Sequence, residues 1–336
     1  MRSAGSLLLG WALLLPRAHA ADFSSGASGT TAAQFLELPV AARAIAMGGA
    51  YAAAADDASA LYWNPAALTR IQEKSAVFSH ATYVSSSFFD YAAYGQNLRD
   101  YGAYGVGFQY FNAGSIPETD IVGNSLGSFN PYDLAVSLGY AYRVREPHLG
   151  LPLEDFSFGV SGKWIRSQIL TSAETAAVDA GVLSPPLLSD RLRLAFTVSN
   201  VGGDLRFVSQ AEPLPLLVRV GSSYRILDGW LVGLDVDFPR GDNPYVALGT
   251  EYQLAVMPGA NLSCRAGYNS QTAGSVTGFT GFSIGIGVAL RRFSFDYAFL
   301  PLGGVGLENQ LTASFKFGGR ARLDAAPAPR NLFPDY

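Results

Sequence analysis

The stretch FTGFSIGIGVALRRFSFDYAFL, residues 279–300, decides the fold of this chain. Its first half places large apolar side chains at every second position: Phe282, Ile284, Ile286, Val288 and Leu290. Glycine, serine and alanine fill the positions between them, and after Arg291-Arg292 the alternation resumes with Phe293. Every second side chain of an extended strand shares a face, so each half has one apolar and one small or polar face. This alternation predicts two strands of a transmembrane β-barrel.

Similar alternation recurs through most of the chain. Further runs lie near residues 74–84, 88–98, 101–112, 132–144, 155–169, 173–183, 192–200, 215–226, 229–238, 244–254, 259–269 and 310–317. The total is about fourteen, an even number as in bacterial single-chain barrels, or about twelve if the weak run 173–183 is a loop. Nearly every run has an apolar face, which favours a barrel in lipid over a soluble sandwich. We therefore predict an all-β fold, a transmembrane antiparallel barrel over residues 74–318.

The connections between runs predict the orientation of the barrel. Long gaps at 113–131, 201–214 and 270–278 follow odd-numbered runs. Tight turns follow even-numbered runs, although 145–154 and 184–191 are longer than this rule expects. Outer-membrane barrels have short periplasmic turns and long outer loops, so we expect periplasmic termini.

The first twenty residues are typical of a signal peptide. Arg2 precedes an apolar run at 7–15, and Ala18-His19-Ala20 suits cleavage before Ala21. We therefore expect export and a location in an outer membrane of the Gram-negative type. The formal net charge is −4, and 15% of the residues are charged. A nucleic-acid partner would need a basic patch, so none is expected.

The sequence lacks most patterns that carry catalysis. Cys264 is the single cysteine, and His80 and His148 are the only histidines after the signal peptide. The pair Gly285-Ile286-Gly287 lies in a strand pattern and lacks the third glycine of a dinucleotide-binding turn. We expect no enzyme activity, no metal site and no cofactor. One serine, one histidine and one aspartate would still suffice for an outer-membrane protease or phospholipase, which stays the alternative.

The face opposite the apolar stripe carries charges and many glycines. Its charged residues are Arg219, Asp235, Glu251, Arg265, Asp296 and Lys316. We expect them to form structural ion pairs in a wet lumen, ahead of a substrate site, because charges that face the interior need partners. The glycines on this face would let another segment approach the wall closely: Gly105, Gly107, Gly139, Gly159, Gly181, Gly221, Gly267 and Gly285.

The natural candidate for that segment is ARAIAMGGAYAAAADDASALYWNPAAL, residues 42–68. It is rich in alanine and glycine, has no alternating stripe, and offers Asn64-Pro65 as an N-cap and first helical residue. Asp56 and Asp57 either form salt bridges with Arg219 or Arg265 or cap backbone amides in a turn. A calcium or catalytic role for this pair is a weaker third alternative.

This block resembles the N-terminal segment of the PorV/PorQ branch of FadL-like outer-membrane barrels. The matching residues are Arg43, Met47, Gly48, Gly49, Ala50, Asp56, Asp57, Tyr62, Trp63, Asn64, Pro65 and Ala66. Further similar stretches lie at 128–135, 176–182, 198–202, 215–221, 264–268 and 295–299, so the resemblance covers nearly the whole mature chain. It implies that residues 21–73 form a hatch in the lumen.

The resemblance implies two functions from different classes. PorV proteins act in type IX secretion, which predicts a non-enzymatic protein that binds cargo C-terminal domains and a secretion translocon through its long outer loops. FadL itself passes hydrophobic molecules, which predicts a transporter of apolar ligands. Either protein would also contact outer-membrane lipids and the barrel assembly machinery.

The end of the chain gives two further expectations. Phe317, with Leu311, Ala313 and Phe315, closes the last strand and is expected to serve as its assembly signal. Residues 319–336 form a proline-containing periplasmic tail that cannot continue the barrel. This tail is either a disordered end or a segment that docks through Leu332, Phe333 and Tyr336.

Overall fold

The computed structural model describes residues 22–83, 86–145, 153–207, 210–271, 273, 280–303 and 306–317. Within these ranges, fourteen antiparallel strands close into one barrel. The wall strands are β1 (Lys74–Thr82), β2 (Phe88–Asn97), β3 (Ala103–Asn112), β6 (Tyr132–Arg143), β7 (Ser157–Gln168), β8 (Ser172–Leu183), β9 (Leu192–Gly202), β12 (Leu217–Leu227), β13 (Trp230–Pro239), β14 (Tyr245–Met257), β15 (Ala260–Asn269), β16 (Phe282–Leu290), β17 (Phe293–Pro301) and β18 (Leu307–Phe317). The predicted barrel is thereby confirmed, and the weak run 173–183 is strand β8.

Each wall strand pairs with the wall strands that precede and follow it in sequence, and β1 pairs with β18 to close the ring. The closing register places Lys74 opposite Phe317 and Thr82 opposite Asn309. Side chains alternate between exposed and buried along the strands, as they do in β16. The exposed positions of β16 are Phe282, Ile284, Ile286, Val288 and Leu290, which matches the apolar face predicted from the sequence.

The two ends of the barrel differ in their connections. At one end, here called the loop end, the connections after β3 and β9 each contain a small hairpin: β4 (Ile116–Thr119) with β5 (Ser125–Phe129), and β10 (Asp204–Arg206) with β11 (Ala211–Pro213). At the other end, the terminal end, β1 begins and β18 ends, and short turns join most strand pairs. The loops were predicted, but their hairpins were not, because four short polar strands give no run of alternation.

The N-terminal segment before β1 contains short helices. They are α1 (Ala42–Ala46), α2 (Ala60–Trp63) and 3-10 turns at Ser25–Ala27, Gln34–Glu37 and Pro65–Arg70. No helix in the described ranges is both long and apolar enough to cross a membrane. The predicted signal peptide and the predicted tail lie outside the described residues.

The apolar core lies where this segment packs against the inner face of the wall. Leu36, Leu61 and Leu68 from the segment join Phe89 and Ile165 from the wall in one buried cluster. Contacts from the segment reach strands on all sides of the closed ring, from β3 and β7 to β15 and β18. Residues 32–71 are therefore called the lumenal segment.

Candidate functional site

Wall glycines make room for the lumenal segment. A Cβ atom at Gly139 or Gly107 would collide with Leu61, and one at Gly159 with Ala66. A Cβ atom at Gly267 would collide with Gly48. Each of the eight glycines predicted to face inward has an atom of the lumenal segment within ordinary contact distance of such a Cβ atom. Glycine on the inner face therefore brings the wall and the segment into backbone contact.

Gly48 and Gly49 follow α1 in left-handed conformations, with φ of 67° and 90°. A Cβ atom at Gly48 would lie 2.7 Å from both the backbone nitrogen and the backbone oxygen of Tyr268. At Gly49 the nearest atom would be 3.7 Å away, on the side chain of Asn269. Glycine is thus needed at position 48 because the backbone is left-handed and a Cβ atom has no room there. At position 49 only the left-handed backbone requires it. Met47, just before them, is fully buried.

Backbone groups of the lumenal segment bond to side chains of the wall. The Ala42 amide donates to Thr312 Oγ1 at 2.8 Å. The amides of Tyr51 and Ala52 donate to Asp235 Oδ2 at 3.0 and 2.9 Å. Asp235 thereby satisfies two amides that regular secondary structure does not use.

The end of the segment is held through Asn64. Its side-chain nitrogen donates to the carbonyl of Val182 on β8 at 3.2 Å. Its side-chain oxygen accepts from the Ala66 amide at 3.0 Å, with Pro65 at the first position of the 3-10 turn. The predicted N-cap is therefore confirmed, although the turn it caps is 3-10 rather than α.

One charge network joins the lumenal segment to β14, β15 and β17. Arg43 Nε contacts Glu251 Oε2 at 2.7 Å, and Arg43 Nη1 contacts Asp56 Oδ1 at 2.8 Å. Arg265 bridges the same Glu251, at 2.5 Å, and Asp296, at 2.7 Å. Three of the six predicted lumenal charges, Glu251, Arg265 and Asp296, thus belong to this buried network.

The carboxylates Asp56 and Asp57 have different partners. Asp56 pairs with Arg43 and, at 3.7 Å, with Lys316, so the predicted partners Arg219 and Arg265 were wrong. Burial alone would raise the pKa of Asp56, but Lys316, Arg43 and Arg70 outweigh it and hold that pKa well below its usual range. Asp57 accepts from the amide and the hydroxyl of Ser59, at 2.9 and 2.5 Å. The capping alternative therefore holds for Asp57.

Arg219 forms a second buried network. Its guanidinium bonds to both oxygens of Asp237, at 2.7 and 3.0 Å, and lies 4.0 Å from Asp235. The guanidinium carbon also lies 4.8 Å from the ring centre of Trp63, whose indole nitrogen donates to Val40 O at 3.0 Å. Asp237 was missed, although it follows Asp235 by two residues and so shares its face.

A third network lies at an irregularity of the wall. Lys163 Nζ contacts Asp179 Oδ2 at 2.9 Å and Asn200 Oδ1 at 2.7 Å, and all three residues are buried. The register of β8 against β9 shifts between Val178 and Ala180, and Asn200 is left-handed with φ of 62°. This cluster was not predicted from the sequence, because a bulge has no periodic signature.

The loop end presents apolar side chains outside the barrel. Ile116, Ile121, Val122 and Leu126 of the β4–β5 hairpin are exposed, and so are Ile169 and Leu170 of the turn between β7 and β8. Tyr132 and Gln168, at the adjoining strand ends, share a 2.8 Å hydrogen bond. The loop 113–131 was predicted to bind a partner, but its exposed apolar residues were not identified from the sequence.

A family model described as "Type IX secretion system protein PorV" matches residues 24–185. No curated protein sequence matches the chain.

Solved structures share the fold at low sequence identity. The Pseudomonas putida toluene transporter TodX is 12% identical with a TM-score of 0.55, over 82% of this chain and 96% of that chain. A Pseudomonas aeruginosa FadL homologue is 12% identical with a TM-score of 0.54, over 84% and 99%. The CymD monoaromatic hydrocarbon channel is 13% identical with a TM-score of 0.53, over 84% and 99%.

Proposed function

Since the chain belongs to the PorV/FadL-like family of β-barrels, we propose that it is an outer-membrane component of type IX-like secretion that binds exported protein at its loop end. The observation that carries this proposal is the exposed apolar β4–β5 hairpin. Ile121 is fully exposed and Val122 is 76% exposed, in the connection between β3 and β6 and outside the closed barrel sheet. Clustered apolar side chains in water are typical of protein-binding surfaces.

We further propose how the chain is oriented in the membrane. The signal peptide 1–20 directs export, the loop end faces the outside of the cell, and the termini face the periplasm. Residues 21–73 act as a hatch that closes the lumen. Support for the hatch comes from the wall glycines that contact the lumenal segment and from Arg43, which bonds to the wall carboxylate Glu251.

The alternative is a FadL-like transporter of hydrophobic molecules. The irregularity between β8 and β9 favours it, because a break in the ladder is where a side opening in the wall would form. Against it, Lys163, Asp179 and Asn200 fill the inner side of that break with buried polar contacts. An apolar molecule passing there would have to displace a buried ion pair, which is strongly unfavourable.

The experiment replaces Ile121 and Val122 with serine in the organism that carries the gene. We expect less secreted cargo at the cell surface with normal amounts of folded barrel. Leu188→Ser is the matched control, since Leu188 is an exposed apolar residue, 66% exposed, in a turn at the terminal end. Unchanged cargo display in the hairpin variant, or loss of hydrocarbon uptake instead, would rule out the secretion role.

A further inference from the structure

The terminal end of the barrel contains an open cavity of about 500 Å³. Inward-facing Arg265, Ser263 and Asp296 line it on the wall side, and Asp56 and Arg70 line it on the side of the lumenal segment. Its volume lies within the range of ligand-binding sites. Because these wall residues point inward, lipid headgroups around the barrel lie on the other side of the wall.

The cavity has an excess of positive charge. Three of its cations, Arg43, Arg265 and Lys316, have carboxylate partners. Five more cations line it without an ion pair to any residue in the described ranges: Arg70, Lys74, Arg225, Arg291 and Arg292. This excess occurs in a chain with a formal net charge of −4.

The carboxylates that line the cavity do not offset these five cations. The lining contains three carboxylates, Asp56, Asp57 and Asp296, against eight cations, and Asp56 and Asp296 are already in the ion pairs described above. An anionic ligand would therefore meet a lining in which cations outnumber carboxylates by five.

Arg70 is the innermost of the unpaired cations. Its Nη1 atom donates to the carbonyls of Ala53 and Ala55, at 3.0 and 2.8 Å, which fixes the guanidinium between the segment and the cavity. Burial lowers the pKa of Arg70, and the like charges of Arg43 and Arg225 lower it further against the opposing effect of Asp56. A bound anion would relieve this unfavourable environment.

The cationic zone extends beyond one cavity. Arg70 also lines a neighbouring cavity of about 290 Å³, together with Arg193 and with Arg143, which is paired with Asp155 at 2.9 Å. At the rim, Arg291 and Arg292 are exposed in the turn between β16 and β17, and Arg225 is exposed near the end of β12. Positive charge therefore runs from the interior across the opening, over a longer path than one compact anion would contact.

We propose that the terminal end binds an extended acidic peptide segment of a protein on the same side of the membrane as the chain termini. Several separate carboxylates on a flexible chain match several separate cations at different depths, and arginine guanidinium groups bind carboxylates in paired hydrogen bonds. This site lies at the opposite end from the β4–β5 hairpin, so it does not depend on the secretion proposal.

The test uses the folded full-length chain in an uncharged detergent and a fluorescently labelled hexaglutamate peptide, followed by anisotropy. Arg291→Gln with Arg292→Gln should weaken binding roughly tenfold at low salt. Arg99→Gln with Arg191→Gln is the control, which should bind like the unchanged protein. Both pairs remove two exposed turn arginines from the terminal end, and Arg291 and Arg99 are both left-handed, with φ of 53° and 60°. Only the first pair lines the cavity.

Three results would overturn the proposal. Equal weakening by the two arginine pairs would show general charge attraction rather than a site. Equal binding of hexaglutamine would remove the need for carboxylates. Displacement of the peptide by pyrophosphate at the same concentration of negative charge would identify a small-anion site instead.

Discussion

At the residue scale, Gly48 is a position where the lumenal segment closely approaches the backbone of the wall. Gly48→Ala places a Cβ atom 2.7 Å from the Tyr268 backbone in a left-handed conformation, so we expect it to destabilise the segment by roughly 3 kcal/mol. Gly49→Ala has the same conformational strain without the contact and should cost about 1 kcal/mol. Limited proteolysis within residues 42–71 measures the difference. Equal cleavage rates for the two variants would show that the close approach of Gly48 to the Tyr268 backbone does not determine the stability of the segment.

Glu37 gives a pH dependence at the same scale. Burial first, and then the nearby charge of Asp242, raises the pKa of Glu37 from 4.5 to about 7. The folded protein therefore binds this proton more tightly than the unfolded chain, so the stabilisation is complete below about pH 4.5 and is lost as the pH rises through about 7. Glu37 is only partly buried, so we expect a loss on the order of 1 kcal/mol.

Thermal unfolding at pH 5 and pH 8 measures this loss. Glu37→Gln should remove the corresponding part of the pH dependence and stabilise the protein at pH 8. The same pH dependence in the variant would show that other groups cause it.

At the element scale, the last strand is expected to govern assembly. Phe317 ends β18, and its ring lies 4.1 Å from that of Phe315 in an edge-to-face contact. Phe317→Ser should lower the amount of folded barrel in the outer membrane, measured by heat-modifiable gel mobility. Phe295→Ser, on the exposed face within β17, is the control, and an equal loss there would show a general need for apolar surface rather than a terminal signal.

The elements also show where sequence reasoning succeeds. Alternation is a local property of each strand, so all fourteen wall strands were predicted, including the weak run that is β8. The partner of Asp56 was predicted wrongly, because it depends on how the lumenal segment folds back on itself and on which strand faces it in the lumen. Arg43 lies thirteen residues from Asp56 in sequence and Lys316 comes from the last strand. No local sequence pattern predicts the contact of Asp56 with these two residues.

At the scale of the whole molecule, the lumen is expected to stay closed in the resting protein. Cysteine placed at Ala52, which is fully buried, should react with a membrane-impermeant maleimide far more slowly than cysteine placed at the exposed Val122. The native Cys264, on the exposed outer face of β15, is first replaced by alanine. Similar labelling rates at 52 and 122 in intact cells would show that residues 21–73 are no hatch.

The unpaired cations at the terminal end show a feature that only the whole fold reveals. Arg70, Arg225 and Arg291 are far apart in sequence, and each by itself is an ordinary basic residue near a turn. Antiparallel strands of one barrel bring alternate turns to the same end, which gathers these residues around one cavity. The net charge of the whole chain does not indicate this local excess of positive charge, because acidic residues elsewhere outweigh it.

The bond from the Ala42 amide to Thr312 has a consequence for the order of folding. It joins residues 270 positions apart, and Thr312 lies on β18, the strand that closes the ring against β1. The part of the chain that is synthesised early thus acquires its final contacts only when the strand synthesised last is in place. Contacts of such long sequence separation form slowly. A chain interrupted before β18 would leave the alanine-rich segment without part of its binding surface, and such an unfinished barrel should be an early target for proteolysis.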